Sequence, residues 1–423
     1  MFDEFHPPSA MAVAAIFAAT YAGMAVGRVP GLRIDRTGIG LLAAILLVGI
    51  GAMDEGRIVE AIDFPTIIIL FGLMILSAQF AASGFYDWCS LRIATAKGSP
   101  VRLLAVTIAT TGALSAILVN DVVVFAMAPL LCAGLKGRGL DPRPFLIGLA
   151  GAANAGSAAT IIGNPQNIVI GQVGQLNFWN FLAICGVPAA IALVCVHLVV
   201  WFVWRNRWHL PEQQMAPLPA GHLDRPHLIK ALLCTGFLLV FFATPLPDES
   251  LPDEVGVLFA AGAILVSRRL TSRQMLGMVD WQLLVLFVSL FIVTDAMTGT
   301  GLPARLVEIL SAEALLPDRL AVMAPMALVA SNTIGNVPAV VLFLSVWPEM
   351  SEGALYSLAV LSTLAGNLLL IGSLANLIVA ERALLSGVKL GFLEHARCGI
   401  PITLLSFVFA VAWLWLTGML PLL

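Results

Sequence analysis

Stretches of roughly 20 apolar residues, enough to cross about 30 Å of hydrocarbon as helix, recur from one end of the chain to the other. A helix apolar on every side needs lipid, or a very large protein core, around it. Of the 423 residues, 60% are apolar and only 11% are charged, against about 25% charged in a soluble domain. The sequence therefore specifies an all-α polytopic membrane protein whose first partner is the lipid bilayer. Met1 to Pro8 is acidic rather than basic, and the apolar run from Ala10 to Val26 has no cleavage site after it, so it reads as the first span. The six cysteines are scattered without metal-ligand spacing and read as small buried apolar groups.

Spans are expected at about 9–27, 38–53, 64–84, 144–175, 178–204, 227–243, 254–267, 281–300, 354–380 and 399–419. Two further apolar segments, 103–134 and 320–347, are interrupted by polar residues near their middles. Both flanks of the first are basic (Arg92, Lys97 and Arg102 before; Lys136, Arg138 and Arg143 after). Both flanks of the second are mainly acidic (Glu308, Glu313 and Asp318 before; Glu349 and Glu352 after). Each therefore reads as a re-entrant hairpin that leaves on the side it entered. With that assignment every Lys and Arg except Arg57, Arg305 and Arg319 falls on the cytoplasmic side, including Arg28, Arg33, Arg36, Arg268 and Arg269. The acidic loop from Asp248 to Glu254 falls outside. The expected protein is multi-pass in the inner (plasma) membrane, with about ten transmembrane helices, two hairpins and both termini outside.

The two halves resemble each other. DFPTIIILFGLMILS from Asp63 parallels DWQLLVLFVSLFIVT from Asp280, and SAILVNDVVV from Ser115 parallels SNTIGNVPAV from Ser331. IIGNPQNIVI from Ile161 parallels LIGSLANLIV from Leu370. These alignments match Asn120 with Asn336, Gly163 with Gly372 and Asn167 with Asn376. Each half has an odd number of spans, so the second runs through the membrane upside down. The expected domains are an N-terminal inverted repeat, 1–204, a linker, 205–226, and a C-terminal inverted repeat, 227–423. Inverted repeats are the architecture of secondary transporters, with the substrate near the midplane between them.

Four polar interruptions lie at membrane depth. Asn120 and Asp121 mark the first hairpin tip, and Ser331, Asn332, Thr333 and Asn336 the second; Gly163 to Asn167 and Gly372 to Asn376 break two further spans. Unwound backbone is tolerated in hydrocarbon only where it is buried in protein or lines a cavity. Gly163, Pro165, Gly335 and Gly372 supply the breaks. The N–H groups that open each following half-helix suit an anion. The amides and hydroxyls of Asn120, Asn164, Gln166, Asn167, Ser331, Asn332, Thr333, Asn336, Ser373 and Asn376, together with Asp121, complete a substrate site. Polar residues also glue membrane helices together for about a kcal/mol or less. Duplication of the set favours function over glue. Asn154, Asn367, Ser157 and Thr160 stand between the two readings. Asp121 and Asp295 are intramembrane carboxylates, which mark an ion or proton path. No Lys or Arg is placed at membrane depth, which favours a weakly charged substrate or one that moves with a counter-ion. The chain has no P-loop, nucleophile elbow, dinucleotide fingerprint or metal-binding cluster. It is expected to be neither an enzyme nor an ATP-driven pump, to need no cofactor and to have no nucleic-acid partner.

The hairpin tips, the IGNPQN and IGSLAN loops and the duplicated D-[FW] spans resemble the ion transporter superfamily over roughly residues 10–420. That group includes arsenite permeases, pink-eyed-dilution proteins, citrate and dicarboxylate symporters and sodium/proton antiporters. The resemblance implies substrate held among four broken elements, elevator-like alternating access, and a homodimer as in parts of the superfamily. The first hairpin reads Leu118-Val119-Asn120-Asp121, where dicarboxylate symporters carry Ser-Asn-Thr. Asn164 stands where many relatives have an acid. The reading carried forward is secondary active transport of a small anion, oxyanion or metalloid, proton-coupled and most similar to arsenite efflux. A sodium- or proton-coupled di- or tricarboxylate symporter is the alternative, and a passive anion channel the other class.

Overall fold

The computed structural model describes residues 9–26, 34–210, 223–244, 252–267, 270–313 and 315–423. The expectations for Met1–Pro8, Arg28, Arg33, Arg268 and Arg269, for 211–222 of the linker and for 248–251 of the acidic loop lie outside these residues. Within them the chain folds into helices, in two sets of ten. The first set is α1 (Ala10–Val26), α2 (Arg36–Gly49), α3 (Glu55–Ala61), α4 (Phe64–Ala82), α5 (Phe85–Thr95), α6 (Pro100–Ile117), α7 (Asn120–Lys136), α8 (Pro142–Ser157), α9 (Pro165–Val173) and α10 (Phe178–Trp204). The second is α11 (Arg225–Ala243), α12 (Asp253–Leu265), α13 (Ser272–Leu276), α14 (Trp281–Thr298), α15 (Leu302–Ala312), α16 (Leu320–Ile334), α17 (Asn336–Val346), α18 (Glu352–Ala365), α19 (Leu374–Leu385) and α20 (Phe392–Leu416).

The sets correspond one to one, for reasons visible residue by residue. Asp63 and Asp280 cap α4 and α14 by accepting from the N–H groups of Thr66 and Leu283. Gly84 and Gly301 turn the chain out of the same two helices in the left-handed region, at φ 72° and 71°. The short helices α5 and α15 that follow were not expected, because their mixed composition hides a membrane-edge helix among loop residues. The segments read as single spans 144–175 and 354–380 are each two helices, α8 with α9 and α18 with α19, parted at the polar breaks. The segments 103–134 and 320–347 are the helix pairs α6–α7 and α16–α17. Among the described residues, six helices (α4, α6, α10, α11, α14 and α20) are long and apolar enough to cross a membrane by themselves. α6 does not use its length that way, because the chain turns at Leu118-Val119 into α7.

Packing is reciprocal between the halves. α2 lies on α14 where Gly40 meets Ser289, and α12 lies on α4 where Gly72 meets Val257. In each crossing a glycine on one side admits the partner helix, as small residues do in lipid. Ser289 is the repeat partner of Gly72. Arg57, just before α4, pairs with Asp295 late in α14, whereas the start of α14 touches the start of α2 through the Thr37 hydroxyl and the Gln282 carbonyl. The N-terminal ends of α4 and α14 therefore point to opposite ends of the fold, as inverted repeats require. α10 and α20 cross at the centre, where the Trp413 Nε1 donates to the Ile184 carbonyl at 2.9 Å. All six cysteines are buried.

Candidate functional site

Each broken span is held open by its own asparagine. The Asn167 Nδ2 donates to the carbonyls of Ser157 and Thr160 at 3.1 and 2.9 Å. The Asn376 Nδ2 donates to those of Gly366 and Leu369 at 2.8 and 3.1 Å. These carbonyls end α8 and α18, where the backbone has no helical partner left. The two breaks also tie to each other in matched pairs. Ser373 Oγ donates to Asn154 Oδ1 at 2.8 Å, and Asn164 Nδ2 to Thr363 Oγ1 at 3.3 Å. Asn154 Nδ2 donates to Asn376 Oδ1 at 3.1 Å, and Thr363 Oγ1 to Asn167 Oδ1 at 3.4 Å. Asn367 accepts from Asn154 Nδ2 at 2.9 Å. Asn164 further caps α9 by accepting from Asn167 N at 2.9 Å. A Cβ on Gly163 would strike the Ser157 carbonyl, and one on Gly372 the Asn332 side chain. Both breaks need glycine for close approach.

The hairpin tips meet these breaks. The Asn120 N–H faces the Gly163 carbonyl at 3.4 Å, and α7 starts there. Gly335 makes the other tip at φ 97°, a conformation that disfavours any side chain, and α17 starts at Asn336. The openings of α7, α9, α17 and α19 thus surround one cleft of about 660 Å³. Their leading N–H groups bring a partial positive charge to it. Asn120, Asp121, Gln166, Asn336 and Ser373 line the cleft. Asn120 is 6% exposed, yet its Oδ1 and that of Asn336 are buried without a partner.

Other residues named from the sequence stand elsewhere. Asn164, Asn167 and Asn376 lie behind the cleft in the clamp network. Asn332 donates to the Leu328 and Ala365 carbonyls at 3.0 and 2.9 Å, and Ser331 is fully buried beside it. Thr333 faces outward, its hydroxyl bonded back to the Val329 and Ala330 carbonyls. Asp295 is not in the cleft. Its carboxylate accepts from Arg57 Nε at 2.7 Å, with both side chains about a third exposed (37% and 34%).

The charged lining was missed. Arg36, Arg382, Asp35, Asp280 and Glu381 all face the cleft, so the expectation that no basic side chain reaches the site does not hold. Arg36 sits in a basic flank of the sequence and looks like an ordinary cytoplasmic anchor. Its position at the first turn of α2, after the Asp35 cap, was the available signal. A Cβ on Gly335 would stand 3.0 Å from its NH1, so the guanidinium lies against the hairpin tip. Its Nε donates to the Met24 carbonyl at 3.2 Å. Arg382 instead covers the Phe125 ring at 3.8 Å.

The chain is 26% identical to an uncharacterized transporter of Mycobacterium tuberculosis over 91% of this chain and 94% of that protein. It is 24% identical to a Dictyostelium discoideum protein named transporter arsB, over 92% and 88%. It is 26% identical to the mouse P protein over 88% of this chain and 56% of that one. Among solved structures, the Alcanivorax borkumensis YdaH transporter shares the fold, with a TM-score of 0.57 at 13% identity over 98% of this chain and 99% of that one. This is a multi-pass membrane transporter, and the CitMHS citrate-transporter family model matches its residues 12–365, so the chain belongs to that family.

Proposed function

We propose that the chain is a secondary active transporter of small carboxylate-bearing anions, with 1–204 and 227–423 as its inverted repeats and 205–226 as their linker. The observation that carries this reading is Arg36 against the tip at Gly335, facing the leading N–H groups of α17. A guanidinium beside free backbone donors is the standard recognition of carboxylate or oxyanion. Asn120, Asn336, Gln166 and Ser373 would fix the ligand's remaining oxygens. The CitMHS description favours a di- or tricarboxylate. Asp121, on a hairpin tip inside the cleft, would carry the coupling proton. The basic flanks support an open mouth on the cytoplasmic face of the plasma membrane, with both termini outside.

Arsenite efflux is the second reading. It is favoured by the amide-rich lining, which suits an uncharged hydroxide, and by the relative named arsB. The test is uptake into proteoliposomes of radiolabelled citrate, succinate and arsenite, driven in turn by a proton or a sodium gradient. Carboxylate uptake with a proton gradient, weakened at least tenfold in apparent affinity in Arg36→Gln, supports the first reading. Arsenite movement indifferent to Arg36→Gln supports the second. Flux with neither gradient, following the anion's own gradient without saturation, would mean a channel.

A further inference from the structure

The cleft has a smaller counterpart at the other end of the fold. A cavity of about 170 Å³ is lined by Ile69, Ile162, Ile168, Gln172 and Asp253 among others. Their repeat partners are Leu286, Ile371, Leu377, Glu381 and Arg36, every one of which lines the large cleft. The same register sets Gly72 against Ser289 in the helix crossings and Asn167 against Asn376 in the clamps. The two cavities are thus one piece of architecture in two conditions. The small one is the narrower. The stacked rings of Phe178 and Phe242, with centroids 6.3 Å apart, form part of its wall, and Gln172 and Asp253 line it together. In the large one the corresponding residues stand apart. Among the described residues, neither Arg36 nor Glu381 forms an ion pair.

We propose that Arg36 and Glu381 form an ion pair that closes the large cleft when Gln172 and Asp253 separate to open the small one. This rests on the transport reading of the same cleft and adds its closing contact. Two halves with matching helices can exchange conformations across their pseudo-two-fold axis, which is how inverted repeats alternate access. Gln172 and Asp253 stand together on the smaller cavity, and Glu381 with Arg36 are the same positions on the larger one. The other charges in the cleft are already engaged or lie on the ligand side. Asp35 and Asp280 cap α2 and α14 through the N–H groups of Gly38 and Leu283. Arg382 lies on the Phe125 ring. Asp121 stands at the hairpin tip. Glu381 is therefore left for Arg36. Closure removes water from between the pair, which strengthens it.

The experiment uses the full chain with its six native cysteines replaced, reconstituted and shown to transport. Oxidation of Gln172→Cys/Asp253→Cys is expected to cross-link quickly in the resting protein and to stop transport until reductant is added. Arg36→Cys/Glu381→Cys is expected to cross-link during turnover, to stop transport, and to raise labelling of a third cysteine at Phe178 by a membrane-impermeant maleimide. Glu381→Arg should slow transport at least tenfold at saturating substrate, and Glu381→Asp should restore most of it. If the 36/381 pair never cross-links while transport runs, or cross-links without exposing position 178, the gate is wrong. If the 172/253 cross-link forms and transport continues at full rate, alternating access itself fails, and with it the secondary-transport reading.

Discussion

Asn167 and Asn376 hold the break before their own helices with the same two hydrogen bonds, to the carbonyls ten and seven residues upstream. A broken helix exposes backbone carbonyls that lipid cannot satisfy. One carboxamide per half answers two of them, and its own oxygen accepts from the opposite half, Asn376 from Asn154 and Asn167 from Thr363. The clamp that opens each span is thus also the seam between the repeats.

Asn167→Ala and Asn376→Ala each remove two hydrogen bonds to buried carbonyls, and Asn376→Ala also leaves the Gly366 carbonyl without a donor, at about 1–3 kcal/mol for a stranded group. The expected outcome is a melting temperature in detergent lowered by several degrees and less folded protein recovered. A thermal-shift measurement checks it. An unchanged melting temperature with weakened substrate binding would make these residues ligands instead of clamps.

Asn120→Ala and Asn336→Ala should behave in the opposite way. Their Oδ1 atoms bond nothing in the protein, so truncation strands little of the fold. The apparent KM for the transported anion should rise about tenfold, the equivalent of about 1.4 kcal/mol, with the melting temperature and membrane insertion unchanged. Wild-type KM in both variants would remove the hairpin tips from the site.

Much of this was readable in the sequence, because membrane burial leaves so few options for polar residues. The duplicated Asn and Gly positions gave the breaks, and the like-charged flanks gave both hairpins. What was not readable was the division of labour among the asparagines. Asn120 and Asn167 look alike in sequence, and only the path of the chain shows that one amide faces a cleft while the other faces carbonyls. Arg36 was hidden for a different reason. A basic residue at a span end satisfies the positive-inside pattern, and nothing local reveals that a hairpin tip from the other half packs against it. Asp295 was marked as an ion-path carboxylate by its depth in α14, and the structure sets it outside the cleft against Arg57 from α3.

That pair gives a control. Two partly exposed charges at 2.7 Å contribute at most about 1 kcal/mol, since water screens them. Asp295→Asn is expected to change the transport rate by less than about twofold and the melting temperature only slightly. A loss of proton coupling in Asp295→Asn, measured by a pH-sensitive dye in the vesicle lumen, would return Asp295 to the ion path.

Asp121→Asn tests the coupling role from inside the cleft. The amide keeps the size and the hydrogen-bonding reach of the carboxyl but cannot release a proton. Uptake driven by a proton gradient should be lost, whereas exchange of internal for external substrate, which needs no net proton movement, should persist. Loss of both would assign Asp121 to substrate binding. Retention of both would leave the proton to another group.

Gly335→Ala joins the two constraints on the second hairpin tip. At φ 97° and ψ 157° a side chain is disfavoured, by roughly 1–3 kcal/mol, and the new methyl would also stand 3.0 Å from Arg36 NH1. Gly301→Ala is the reference, because it also has a positive φ, 71°, but lies in the milder left-handed helical region and meets no atom within 4 Å. Both variants should lose thermal stability through the backbone, Gly335→Ala more, because φ 97° with ψ 157° is essentially reserved to glycine. Only Gly335→Ala should raise KM for the anion, because only there does the methyl displace a guanidinium from the N–H groups that open α17. Equal KM values in the two variants would mean that Arg36 acts without close approach to the tip, and the anion site would have to be rebuilt around the asparagines alone.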